Sequence, residues 1–455
     1  MRKTLTALGS GLLAAAVLAT GCTSNTPAPG PGSSDAIDYW LWDSAQQPGY
    51  QQCADAFEAQ GGKKVRITQY GWGDYWSKLT AGFIADQAPD VFTNHLAKYA
   101  QFVDLGVLLP LDELDATKGI TDDEFAYGLA ELWKGPDGHR YGTPKDWDTV
   151  GYFYDAKVTD AAGVTAQQLA TMEWNPVDGG SFEKIIAHLT VDVNGVRGDE
   201  PGFDKNRIKV YGLSAEGGGG ENLGQTQWGP YTGSLGNWQP LDKNPWGSKY
   251  NLDDPRFQEA ISWYFGLAEK GYMPKYGQFS KDTGGYQQVA AGQAVLGLSG
   301  SWMISSFQGL KDIDLKIAPT PIGPSGQRSS PFNGLADSVT RFADDKEAAA
   351  EWVAFMASDA CQVMIGEAGV VFPARDAGTQ ASLKARQAAG LDVSAFTVHL
   401  DEGTTQTLAV TTNAADIAGL TGPTFEAIYI GQQPVGSLTD LNKQVNRLLE
   451  LASRG

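Results

Sequence analysis

The chain has 455 residues, enough for more than one compact lobe, and 42% of them are hydrophobic, enough to build sizeable cores. Its 53 acidic residues outnumber 34 basic ones for a formal charge of −19, a field that repels nucleic acid and anionic lipid headgroups, so nucleic acid is not expected as a partner. The four histidines, His95, His139, His188 and His399, are scattered without metal-ligand spacing, so neither a metal nor a cofactor is expected.

The first segment reads as an export signal over residues 1–21: basic Arg2 and Lys3, an apolar run from Leu12 to Ala19, then small residues. That run is too short to span a bilayer, and no later one reaches the roughly twenty apolar residues that a transmembrane helix needs. Leu18-Ala19-Thr20-Gly21-Cys22 resembles a bacterial lipobox, with Ala19 where Leu is usual. The resemblance implies that Cys22 is acylated after cleavage and tethers the chain to the outer face of the cell membrane. Cleavage leaves 53 acids against 32 bases, or −21. Residues 22–36, small, polar and Pro-rich, read as a lipid-anchored flexible linker.

Order begins at Ile37-Asp38-Tyr39-Trp40-Leu41-Trp42, an aromatic-rich strand. A helix opens at Pro48, turns Tyr50, Cys53, Ala54 and Phe57 to one face and stops at Gly61-Gly62. Val65–Thr68 is a second strand. Asp74 is expected to cap a second helix with Trp76, Leu79 and Phe83 inward, ended by Pro89 before a third strand at Asp90–Thr93. This alternation predicts an α/β lobe with a mostly parallel sheet. Later helical faces are Phe257, Ile261, Tyr264, Phe265 and Ala268; Ala349, Trp352, Phe355 and Met356; and Leu438, Leu441, Val445, Leu448 and Leu449.

Tyr75-Trp76-Ser77-Lys78-Leu79, Ala88-Pro89-Asp90-Val91-Phe92 and Leu105–Asp112 together resemble the signature of extracellular solute-binding proteins of carbohydrate ABC importers, the maltodextrin-binding-protein-like family 1. Tyr141-Gly142-Thr143-Pro144 after Asp137-Gly138, Gly292–Val295 leading to Gly300-Ser301-Trp302, Pro319–Pro324 before Asn333-Gly334, and a helix over 346–362 continue the match from Ile37 to Leu451. The resemblance implies an α/β fold of the type II periplasmic-binding-protein kind. Two lobes, 37–148 plus 319–370 and 149–318 plus 371–455, would join at a hinge with the ligand between them. It further implies a monomer that hands its solute to the transmembrane subunits of a permease and their ATPase, without catalysis.

Sugar recognition needs convergent polar groups for hydroxyls and flat aromatic faces for rings. Loops that offer both supply the candidates: Trp42 and Asp43 after the first strand, Asn94 and His95 after the third, and Asp146, Trp147 and Asp148 at the first crossover. Further on come Glu216 and Asn222 in a Gly-rich loop with Trp228 behind it, Trp302 after an apolar strand, Asn333, and Arg375. The Gly-rich run is not a phosphate loop, because no Lys-Ser or Lys-Thr follows it. Asp146 and Asp148 share one side of an extended segment too closely for an inverting glycosidase. Asp192–Asp199 is rich in oxygen ligands, but its Gly is misplaced for a calcium loop and Asn194-Gly195 reads as a hairpin turn. Cys53 and Cys361 fall in the same lobe, and a disulfide between them is expected in an oxidising compartment, with two buried thiols as the alternative. The expected function is capture of a mono- or oligosaccharide for import; a lipid-anchored glycosidase, or a receptor for a non-sugar solute, is the alternative.

Overall fold

The computed structural model describes residues 35–280 and 283–452; Cys22 and the segment before it lie outside these residues. Strands β1 (Ala36–Leu41), β2 (Lys64–Gln69) and β3 (Val91–His95) alternate with helices Gln47–Ala59 and Trp72–Ile84. The helix Gln47–Ala59 buries Tyr50, Cys53, Ala54 and Phe57, the face its spacing predicts. The next helix differs in its start. It begins at Trp72 with Gly71 at the cap position, and Asp74 lies in the first turn without a capping bond. Trp72 packs edge-on against Trp42, ring centroids 5.1 Å apart, at this first turn.

The remaining strands are β4 (Thr143–Asp148), β5 (Val150–Asp155), β6 (Val191–Asp192), β7 (Ile208–Leu213), β8 (Ala294–Gly300), β9 (Leu315–Ala318), β10 (Ser330–Val339), β11 (Phe372–Pro373) and β12 (Thr405–Thr407). Two sheets result. The first has the order β11-β4-β10-β3-β1-β2 with β12 against β10, and the second the order β6-β7-β8-β5-β9. The expected mostly parallel sheet is corrected to a mixed one. β2, β1 and β3 are parallel, but β10 runs antiparallel to both β3 and β4, and β5 antiparallel to both β8 and β9. The reversals arise where the chain changes sheet, since β4 runs almost directly into β5 and β10 enters from the far side.

The chain thus leaves the first sheet at Thr149, which separates β4 from β5. It rejoins that sheet at Ser330, later than the sequence-based boundary at 319, because Ile322 still bridges Glu173 in the second half. Phe372–Pro373 and Thr405–Thr407, assigned from sequence to the second lobe, pair in the first sheet. Phe372 stacks on Trp147 of β4 with centroids 4.5 Å apart, and this flat contact holds β11 to the sheet edge. The expected single helix over 346–362 is two, Lys346–Met356 and Asp359–Ala368, because Ser358 caps the second through the Cys361 N–H. Cys53 and Cys361, both fully buried, are joined as a disulfide that ties the helix Gln47–Ala59 to this second helix. In the segment 191–197, Val191 bridges Arg197 across a turn where Gly195 takes φ +86°, as a hairpin requires. Among the described residues no group of three or more His, Cys, Asp or Glu is placed to hold a metal ion.

Candidate functional site

Between the sheets lies a cleft of about 1080 Å³. Its walls come from the carboxyl ends of strands, the position at which open α/β sheets bind ligands, and from the antiparallel β10, which enters the sheet at that end. From the first sheet come Trp42 and Asp43 after β1, His95 at the end of β3, Asp148 at the end of β4, and Asn333 and Leu335 of β10. From the second come Glu216 and the glycine loop after β7, Ser299 of β8, and Trp302 just beyond it. The helix Ala414–Tyr429 contributes Glu426 and Tyr429.

The structure brings together Trp42, Asp43, His95, Asp148, Glu216, Asn222, Trp302 and Asn333 from the sequence candidates. Others it turns away. Successive residues of a strand face opposite sides, so Asn94 points from the cleft and donates to Ser338 Oγ at 3.2 Å. Trp147 likewise faces Phe372 and donates its indole N–H to Thr379 Oγ1 at 3.1 Å. Asp146, fully buried, accepts the Leu335 N–H at 2.9 Å and does not line the cleft. Trp228 stacks on Phe425 at 4.9 Å and donates to the Gly218 carbonyl at 3.0 Å, which makes it a core residue. Arg375 clamps Glu124, Asp359 and the Ala357 carbonyl, a structural tie outside the cleft.

The glycine loop is shaped by close approach. A Cβ on Gly220 would lie 2.4 Å from the Thr421 carbonyl oxygen, and one on Gly218 would lie 2.7 Å from the Glu426 nitrogen. Bare backbone here lets the loop lie directly on the helix Ala414–Tyr429, which sets Glu216 and Asn222 at the wall. Glu216 takes the Gly285 N–H at 2.6 Å and the Thr226 hydroxyl at 3.2 Å, and its burial raises its pKa. Asp148 accepts the Ser301 hydroxyl at 2.8 Å, and burial together with the neighbouring Asp146 charge pushes its pKa well up.

His95 determines how Asn333 presents itself. His95 Nδ1 accepts the Ala97 N–H at 3.1 Å and so caps the helix Leu96–Asp104. Burial lowers its pKa to about 3, so the ring is neutral and its proton sits on Nε2. The Asn333 amide lies 3.0 Å from Nε2. A ring N–H at that distance requires the amide oxygen opposite it. The other end of the amide then carries the NH₂ and has no protein partner.

Several cleft residues escaped the sequence reading. Trp72, 43% exposed, packs against both Trp42 and His95, the centroids 5.1 and 5.5 Å away. It follows β2, so a search for aromatics beyond strand ends would have found it. Tyr276, Tyr286, Gln225 and Glu426 also line the cleft. Glu426 lies 210 positions beyond Glu216 in the chain, and no local pattern links them.

The family profile of the bacterial extracellular solute-binding proteins matches residues 52–389. No curated protein sequence matches the chain. Among solved structures it is similar to the ABC substrate-binding protein Lmo0181 of Listeria monocytogenes in complex with cycloalternan. There the identity is 20%, over 91% of this chain and 99% of that one, with a TM-score of 0.73. It is also similar to the GacH receptor of Streptomyces glaucescens, solved unliganded and with acarbose, at 19% identity over 91% and 98% with a TM-score of 0.71. A third is UgpB of Mycobacterium tuberculosis in complex with glycerophosphocholine, at 16% identity over 94% and 100% with a TM-score of 0.71. The shared fold is the two-sheet α/β architecture of type II periplasmic-binding-protein-like receptors.

Proposed function

The chain belongs to the bacterial extracellular solute-binding protein family, and on that premise we propose that it captures a mono- or oligosaccharide for an ABC importer. The observation that carries this reading is the cleft lining, in which Trp42, Trp72, Tyr286 and Trp302 stand among Asn, Gln and carboxylate side chains drawn from both sheets. Aromatic faces cover the apolar side of a sugar ring while the polar groups take its hydroxyls. Members of the family are binding proteins, and the chain binds its solute rather than transforming it. The two sheets belong to two lobes that rotate about the crossings at Thr149 and near Ser330, closing on the ligand for delivery to the permease. Cys22 carries the lipid that keeps this receptor beside its importer. Sugar-bound relatives such as Lmo0181 support the ligand class, while UgpB, with glycerophosphocholine, marks the alternative of a non-sugar solute.

Calorimetry or tryptophan fluorescence against a panel of mono- and oligosaccharides tests the reading. Saturable binding without release of reducing ends is expected; no saccharide binding, or turnover of a bound oligosaccharide, refutes it. Trp302, half-buried in the wall, is predicted to stack on the ring. Trp302→Ala is expected to weaken binding about tenfold to a hundredfold, at 1.4 kcal/mol per factor of ten, with the melting temperature little changed. Unaltered affinity would rule out the stacking role.

A further inference from the structure

Charge is unevenly distributed in the cleft. Asp43, Asp148, Glu216, Glu221 and Glu426 line it, against one lysine, Lys275, and no arginine among the described residues. Lys275 is already engaged, its Nζ 3.5 Å from Glu269, and His95 is neutral. The protein contacts to the innermost carboxylates come from neutral donors: Gly285 N–H and Thr226 for Glu216, Ser301 for Asp148. Such donors satisfy lone pairs, Arg386 offsets the Asp148 charge only in part, and burial still raises the pKa of both carboxyls, so ionising them in this partly dry site calls for a cation that the walls do not supply.

A second observation marks where a ligand meets this charge. Asn333, 2% exposed, carries an amide end without a protein partner, and it stands directly opposite Asp148 in the pairing of β10 with β4. An amide NH₂ donor beside a carboxylate matches a hydroxyl beside an ammonium group. The aromatic faces of Trp72, Tyr286 and Trp302 add attraction for a cation. We propose that the cleft selects saccharides bearing a protonated primary amine, amino sugars or their oligomers, over the neutral and acidic counterparts. This rests on the saccharide reading and narrows it.

The test is calorimetry on the full chain with matched amine, N-acetyl and hydroxyl forms. Glucosamine, galactosamine and mannosamine series serve as monosaccharides, and β-1,4-linked gluco trimers as oligomers. In at least one series the amine form is expected to bind at least about tenfold tighter than both counterparts, a gap of 1.4 kcal/mol. About 1 M NaCl should trim that advantage only in part, because a contact pair enclosed by the cleft walls is screened much less than an exposed one. Asp148→Asn and Glu216→Gln should each narrow the amine-to-hydroxyl ratio, and the matched ligand series on the parent chain stands alone if either variant misfolds. Hydroxyl forms binding as tightly as amines in every series overturns the selectivity and leaves the saccharide reading in place. No binding by any member overturns both.

Discussion

Asp146 sits beside the cleft rather than in it, and its environment makes it a pH-sensitive element of stability. Burial pushes its pKa up to about 7 against the opposing pull of Lys145, while the Leu335 N–H holds one of its oxygens. Its other oxygen has no partner. The carboxyl is therefore protonated more readily in the folded chain than in the unfolded one, where its pKa is about 3.9. Its stabilising contribution is complete below the unfolded value and is lost as pH rises through about 7. Asp146→Asn keeps the acceptor for Leu335 and removes the charge. The variant is expected to show a higher urea midpoint than the parent at about pH 8 and a flatter pH dependence between about pH 4 and 7. A lower midpoint at about pH 8 would mean that the ionised group is stabilising, compensated by Lys145. In the run Lys145-Asp146-Trp147-Asp148, strand alternation explains why Asp148 reaches the cleft while Trp147 packs on Phe372. Which side faces the ligand depends on the sheet, and the run itself does not encode it.

At the level of elements, the helix faces were the most legible part of the chain. Tyr50, Cys53, Ala54 and Phe57 are buried together as their spacing predicts, and so are Leu438, Leu441, Val445 and Leu449. The Gly-rich loop was harder to read. Gly218 and Gly220 serve as contact points against the helix Ala414–Tyr429. That partner lies some 200 residues away in sequence, and local composition carries no trace of it. Cys53 and Cys361, 308 residues apart, join two helices packed behind the first sheet. Replacing both with Ala or Ser is expected to cost about 2–4 kcal/mol of unfolding free energy, chiefly by freeing the unfolded chain. Ligand affinity should stay unchanged, because neither cysteine lines the cleft. Urea unfolding with and without reductant checks this: a parent chain insensitive to reductant under unfolding conditions would contradict the bridge.

For the whole molecule, binding and motion share one geometry. The cleft is walled by both sheets, so a ligand that touches Trp42 and Trp302 at once must draw their supports together. Saturation with a binding saccharide is expected to reduce the radius of gyration in small-angle scattering, and an unchanged radius would argue against hinge closure. Local pattern along the chain specifies the alternation of strands and helices, the amphipathic faces, and the order of short motifs that resembles the solute-binding family. These depend on local periodicity and on residues near one another in the chain. The packing of distant segments settled that the sheets are mixed, that Trp228 and Trp147 are core residues, and that Glu426 belongs to the cleft. It also decided that the cleft combines an unpartnered amide with an excess of carboxylates. Each of these depends on which distant segments come to lie side by side, and that is set when the chain crosses between sheets and buries its apolar faces.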